Sequence, residues 1–155
     1  MSPAEADSPT FRLNSGLETI GRSECLRLLA GEDFGRLGVV VGGMPDIIPL
    51  NYVLDADGAI VFRTGPGTKV IGALGGPVAF EVDRLDREGG CGWSVVVQGS
   101  MQRVAPAEAV GLQGRMAAFA VHPRGADKPY LFRVVPAVVS GRRILPPRPP
   151  PATPP

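Results

Sequence analysis

Four residues suited to gripping an anion crowd one short turn. In the stretch FRTGPGTKV, residues 62–70, Arg63 and Thr64 precede Gly65-Pro66-Gly67, and Thr68 and Lys69 follow it. The apolar run ending at Phe62 reads as a strand. TKVIGALGG reads as a short helix that Gly75-Gly76 ends. A strand end, a glycine turn and a helix start leave backbone N–H groups without partners. The helix start also carries partial positive charge, so such a turn binds anions. Arg63 and Lys69 add two full charges, and Thr64 and Thr68 add hydroxyl donors. Together they suit a phosphate monoester dianion. The turn is not a Walker A loop, because that motif places its lysine before the hydroxyl residue and spans a longer loop. It carries no G-x-G-x-x-G either. The same residues also fit an ordinary strand-to-helix turn with surface charges, and this segment alone does not separate the two readings.

Other chemistry-bearing residues are sparser. Cys25 and Cys91 show no metal-ligand spacing and read as two reduced thiols. His122, the only histidine, lies in the loop-like VHPRGAD and reads as exposed, with no Ser-His-Asp or Cys-His arrangement beside it. Glu81 and Asp83 alternate about Val82, so they share one side of a strand. A polar outer face accounts for them more simply than an acid-base pair. Asn51 is either a polar strand residue near a turn or a hydrogen-bond partner for a ligand. Trp93 is either a core or interface anchor or a ligand contact. No side-chain acid, base or nucleophile stands out. That pattern suits a protein whose cofactor carries the redox chemistry while the chain binds, orients and tunes it.

The elements that must position these residues follow from pattern and punctuation. SECLRLLAG reads as a helix with Ser23 as its N-cap and Gly31 as its stop. Six strand-like runs follow, GRLGVVV (35–41), DIIPLNYVL (46–54), AIVFRT (59–64), PVAFEVD (77–83), WSVVVQGSMQRV (93–104) and YLFRVVPAVVSG (130–141). Turn signals at Gly42-Gly43-Met44-Pro45, Asp55–Gly58 and Gly89-Gly90 separate them, and Asp57-Gly58 predicts a hairpin. PAEAVGLQGRMAAFA reads as a further helix, with Pro106 in its first turn. Strands and helices do not alternate as in a βαβ repeat. The expected fold is therefore mainly β (α+β), a six-stranded antiparallel sheet closed into a small barrel with a few short helices at its ends.

The order of strand PLNY, hairpin, strand VFRT, glycine turn, TK helix, strand VAFEVD and strand GWSVVVQG resembles the pyridoxamine 5'-phosphate oxidase-like proteins, a flavin-binding split β-barrel family. The likeness runs from about Leu17 to Ile144. It implies that Arg63, Thr64, Thr68 and Lys69 hold the phosphate of FMN. It implies that Pro49, Leu50, Asn51 and Tyr52 run beside the isoalloxazine and ribityl chain, and that Trp93 and Ser94 reach the flavin, often from a neighbouring subunit. The resemblance also implies a homodimer with the flavin site at the interface, two equivalent sites being related by two-fold symmetry. Longer members grip a substrate phosphate with a basic C-terminal segment. Here Arg142 and Arg143 run straight into a proline-rich tail and read as a solvated strand end, which speaks against pyridoxamine phosphate as substrate.

Bulk composition sets the outer bounds. Hydrophobic residues make up 44% and charged residues 20%, which fits one soluble domain. A net charge of +1 gives no global attraction to nucleic acid or anionic membrane. Gly 21 and Pro 17 point to many turns and short strands. Residues 1–14 and the tail 145–155 read as disordered, flanking a barrel domain over 15–144. The acidic, polar N-terminus is no secretory signal and no apolar run reaches transmembrane length, so a cytoplasmic location is expected. Three functions follow: an FMN-dependent oxidoreductase acting on an unknown small molecule, a deazaflavin-dependent reductase on the same fold, or a non-enzymatic flavin-binding module.

Overall fold

The computed structural model describes residues 12–13, 16–65, 69–117 and 130–146. Eleven elements follow in chain order: β1 Arg12–Leu13, β2 Leu17–Ile20, α1 Arg22–Ala30, β3 Phe34–Val41, β4 Met44–Leu54, β5 Ile60–Thr64, α2 Lys69–Gly72, β6 Pro77–Asp86, β7 Cys91–Arg103, α3 Pro106–Ala117 and β8 Tyr130–Ile144. The strands pair antiparallel in the order β1-β2-β8-β5-β4-β3-β6-β7, and β7 pairs again with β8. That second pairing closes β8-β5-β4-β3-β6-β7 into a ring, the split barrel with the six expected strands. Two short strands are additions. β2 lies along the end of β8, and β1 folds back on β2, so Arg12 and Leu13, read from the sequence as part of a disordered start, are paired with Glu18 and Leu17.

Strand alternation sorts the side chains into two packed groups. Inward positions such as Leu37, Tyr52, Phe62, Phe80, Val97 and Phe132 fill the barrel, and Cys25 and Leu29 of α1 plug one part of it. Each large side chain fully buried there contributes about 1.5–3 kcal/mol. Outward positions of β4, β5 and β8 (Val53, Val61 and Leu131) meet Ala109 and Met116 of α3 in a second cluster. β5 is therefore buried on both faces, which is why its sequence lacks a polar alternation.

Local chemistry explains the details. Val41 faces Met44, which leaves Gly42-Gly43 as a two-residue turn, so Met44 and Pro45 begin β4 and do not belong to the loop. The expected hairpin at Asp57-Gly58 forms, with Asp55 Oδ1 accepting the N–H groups of Asp57 and Ala59 at 2.9 and 2.8 Å. Proline cannot donate to a ladder, and β8 accommodates Pro136 between β7 partners by a register shift at Gln98/Gly99. A Cβ on Gly99 would collide with the Val135 carbonyl, so that bulge requires glycine. The N-cap of α1 is Gly21, not Ser23, and no side chain caps it. Gly31 ends α1 as expected, its N–H reaching the Leu28 carbonyl at 3.1 Å while the Glu32 N–H reaches that of Leu29 at 3.3 Å.

Candidate functional site

The ring is not uniformly zipped. β4 pairs with β3 along its whole length from Met44 to Asn51. It pairs with β5 only through Tyr52, Val53 and Leu54. The stretch Met44–Asn51 therefore has a ladder on one side alone. It also carries Pro45 and Pro49, residues tolerated where no second ladder needs their N–H. Facing this open edge, β5 continues on β8 alone, with Arg63 opposite Leu131 and Thr64 opposite Tyr130. The chain then turns into α2, which opens with Lys69. This parting of β4 from β5 and α2 is the split of the barrel.

Of the four residues that the sequence suggests for an anion, the three described ones, Arg63, Thr64 and Lys69, border that split. Lys69 donates from Nζ to Asp46 Oδ2 at 2.7 Å, and its side chain is 69% exposed. Lys69, aided by the Ile47 N–H, holds the Asp46 carboxyl below the usual carboxylate range. Solvent screens an exposed pair of this kind and leaves it weak, so exchange with another anion is cheap. Arg63 is half-buried on the outward side of β5, and no described residue pairs with it. Thr64 is buried at the strand end and is engaged within the chain. Thr68, with Pro66 and Gly67, lies outside the described residues, as does His122.

The PLNY residues divide by strand parity. Pro49 is exposed on the outer face, opposite Arg36. Asn51 shares that face and donates from Nδ2 to the Asp33 carbonyl at 3.1 Å, so its amide fastens β4 to the link after α1. Leu50 and Tyr52 point inward and are buried. The Tyr52 hydroxyl donates to the Leu29 carbonyl at 2.6 Å, and its ring meets Phe80 edge-on at 5.0 Å. Burial pushes the Tyr52 phenol above its usual range. Tyr52 therefore sits in the core, away from the outer face that Asn51 occupies.

Trp93 and Ser94 lie elsewhere. Both are half-buried on β7, paired with Arg143 and Arg142 of β8, and Trp93 packs partly against the interior. In the ring, β7 stands opposite β4, with two strands between them in either direction. A single chain does not bring Trp93 and Ser94 to the split.

The outer face between these regions has its own character. A row of cross-strand neighbours runs Ile47, Gly38, Ala79, Gln98, Val138 over five strands. Ile47 and Val138 are 68% and 52% exposed, and Val40 and Met44 nearby are 57% and 70% exposed. One row over, Arg36 Nη1 donates to Glu81 at 3.1 Å and Asp83 at 2.6 Å. The two carboxylates thus share a strand face, as expected, and serve an ion pair. Arg143 is occupied as well, by Glu24 at 2.8 Å and Glu18 at 3.6 Å, whereas Arg142 is exposed. Cys25 and Cys91 are free thiols. Among the described residues no group of His, Cys, Asp and Glu is placed to hold a metal ion, and no helix is long and apolar enough to cross a membrane.

Sequence reasoning missed Asp46, which is the direct partner of Lys69. The signal was present in Pro45 and Pro49, which mark the stretch around Asp46 as an edge.

Comparison with known proteins agrees with this architecture. A family model described as pyridoxamine 5'-phosphate oxidase matches residues 21–143. An uncharacterized protein of Mycobacterium tuberculosis is 34% identical over 133 residues, covering 81% of this chain and 84% of that one. The FAD binding protein of Mycobacterium smegmatis superposes with a TM-score of 0.67 at 29% identity, covering 82% of this chain and 97% of that one. A conserved protein of unknown function from Corynebacterium diphtheriae gives a TM-score of 0.67 at 28% identity, over 84% and 99% of the two chains. With the split barrel and a family match across nearly all of its strands, the chain belongs to the pyridoxamine 5'-phosphate oxidase-like family.

Proposed function

We propose that this protein is a flavin-dependent oxidoreductase of the cytoplasm, working as a homodimer on a small molecule. The observation that carries the reading is the one-sided stretch of β4, with Arg63, Thr64 and Lys69 gathered along its opening. The donor set fits a flavin phosphate. Lys69 is exposed and held only by a surface carboxylate, Arg63 has no carboxylate among the described residues, and Thr64 ends the strand. Charge-assisted bonds from such groups are the strong ones for phosphate. The bound form is FMN, or the same FMN moiety within FAD; the solved relative from Mycobacterium smegmatis is an FAD binding protein.

Bound there, the flavin would supply hydride or electron transfer, and the chain's residues would position it. Lys69 and Arg63 would neutralise the phosphate. Pro49 would present a rigid apolar surface on the outer face, and the Oδ1 of Asn51 stays available as an acceptor while its Nδ2 is engaged. Trp93 and Ser94 would complete the site from a second chain, because β7 lies across the barrel from β4. The outer-face row with exposed Ile47 and Val138 at its ends is the surface we assign to that second copy. Removing apolar surface of this kind from water contributes about 25 cal/mol per Å². Pyridoxamine 5'-phosphate is not the proposed substrate, since Glu24 and Glu18 occupy Arg143.

The test is an absorption spectrum of the desalted protein followed by titration with FMN, FAD and a deazaflavin, with molar mass measured in parallel. A flavin spectrum or saturable binding at one flavin per chain, in a dimer, supports the proposal. Binding of the deazaflavin alone would replace the cofactor, and a bound flavin that no donor and acceptor pair turns over would remove the oxidoreductase assignment.

A further inference from the structure

The split holds one carboxylate that phosphate binding does not call for. Asp46 lies on the one-sided stretch of β4, opposite Val39, among exposed Met44, Pro45 and Ile47. Its two oxygens have separate tasks. Oδ1 accepts the Ile47 N–H at 2.9 Å, which fixes the carboxylate against its own backbone. Oδ2 accepts Lys69 Nζ at 2.7 Å, which ties β4 to α2 across the opening. A fixed negative charge thus stands within ion-pair distance of the cation that a flavin phosphate would use.

We propose that Asp46 sets the cofactor preference of the split by competing with the flavin phosphate for Lys69. The inference rests on the assignment of Lys69 to that phosphate. An ammonium has three donors, so Lys69 can serve carboxylate and phosphate together or turn from one to the other. In both cases the phosphate approaches a like charge, and like charges a few ångströms apart at a solvated site weaken binding about three- to ten-fold. The effect is confined to the charged end of the ligand. Asp46 therefore narrows the difference between phosphorylated flavin and riboflavin, and it gives a site that exchanges its cofactor.

The experiment is a fluorescence titration of FMN and riboflavin at low salt against wild type, Asp46→Asn, Asp46→Ser, Lys69→Met and the Asp46→Asn/Lys69→Met double variant. Asp46→Asn keeps Oδ1 for the Ile47 N–H, and Asp46→Ser removes the charge with a different shape. The expected result has three parts. Both Asp46 variants bind FMN about three- to ten-fold more tightly, riboflavin affinity stays within about two-fold of wild type, and the gain shrinks in the Lys69→Met background, where only direct repulsion between carboxylate and phosphate remains. If wild type prefers FMN over riboflavin and Lys69→Met abolishes that preference, yet the Asp46 variants bind FMN no more tightly, the competition is overturned and the phosphate assignment stands. If wild type does not distinguish FMN from riboflavin, both fall together.

Discussion

The β6-β7-β8 wall and the β4-β5 seam belong to one sheet and do opposite things. β7 is paired on both sides from Gly92 to Ser100, with ten registered partners on β6 and a nearly continuous ladder to β8 that runs on to Arg103. β4 leaves most of one edge open. Where both edges are satisfied, outward residues are free to be small or to pair with one another, as Arg36 does with Glu81 and Asp83. Where one edge is open, charged and hydroxyl side chains gather. Strand pairing thus separates a zipped wall from the seam to which we assign the flavin, with little difference in composition.

Substitutions can break that comparison, the strongest by dissolving the wall. Phe80→Ala removes a fully buried ring in contact with Tyr52 and destabilises the fold by about 3–5 kcal/mol. A urea midpoint far below wild type is the expected readout, with flavin binding lost only as the fold is lost. At the seam the signature reverses. Arg63→Ala or Lys69→Ala each costs about 1.5–3 kcal/mol of FMN binding, roughly ten-fold or more in Kd, while the urea midpoint barely moves. Unchanged affinity in both variants would place the phosphate elsewhere.

Two smaller effects sharpen the boundary. Tyr52→Phe removes the hydroxyl that meets the Leu29 carbonyl. It costs about 1 kcal/mol of stability and leaves Kd for flavin unchanged, because that carbonyl retains the Glu32 N–H. The smallest effect is electrostatic. Arg27, then Arg143, bring the Glu24 carboxyl from 4.5 to about 2. A depressed carboxylate contributes stability above its unfolded pKa and loses it as pH falls toward the folded one. The wild-type Tm should therefore fall more steeply than that of Glu24→Gln between the two values, and identical slopes would show that the exposed pair contributes nothing.

Much of this arrangement was legible in local pattern. Strand runs, the Asp57-Gly58 hairpin and the glycine stop of α1 depend on neighbours in sequence, and they appear where the residues predict them. The candidate site was less legible, because it depends on facing. The resemblance named Pro49, Leu50, Asn51 and Tyr52 as one strand beside the flavin; period-two alternation turns Pro49 and Asn51 outward and Leu50 and Tyr52 inward. The N-cap misreading at Ser23 has a similar origin. A good capping side chain was present, but the chain enters α1 two residues earlier, through Gly21. Pro45 and Pro49 marked the stretch around Asp46 as an edge, but its pairing with Lys69 was not legible, because that partner lies on another element.

The triple pairing of β8 also bears on how the chain acquires its shape. A single strand, β8, adds a partner to each of β2, β5 and β7, and it is the last strand in chain order among the described residues. Until Tyr130–Ile144 emerges from the ribosome, all three earlier strands present unsatisfied edges and the barrel stays an open, sticky sheet. Closure then joins residues as distant in sequence as Leu17 and Ile144 in one step. Non-local closure of this kind belongs to the slow class of small domains, about milliseconds to seconds. Synthesis that stalls before β8 would yield a chain prone to aggregate, however sound its core residues are.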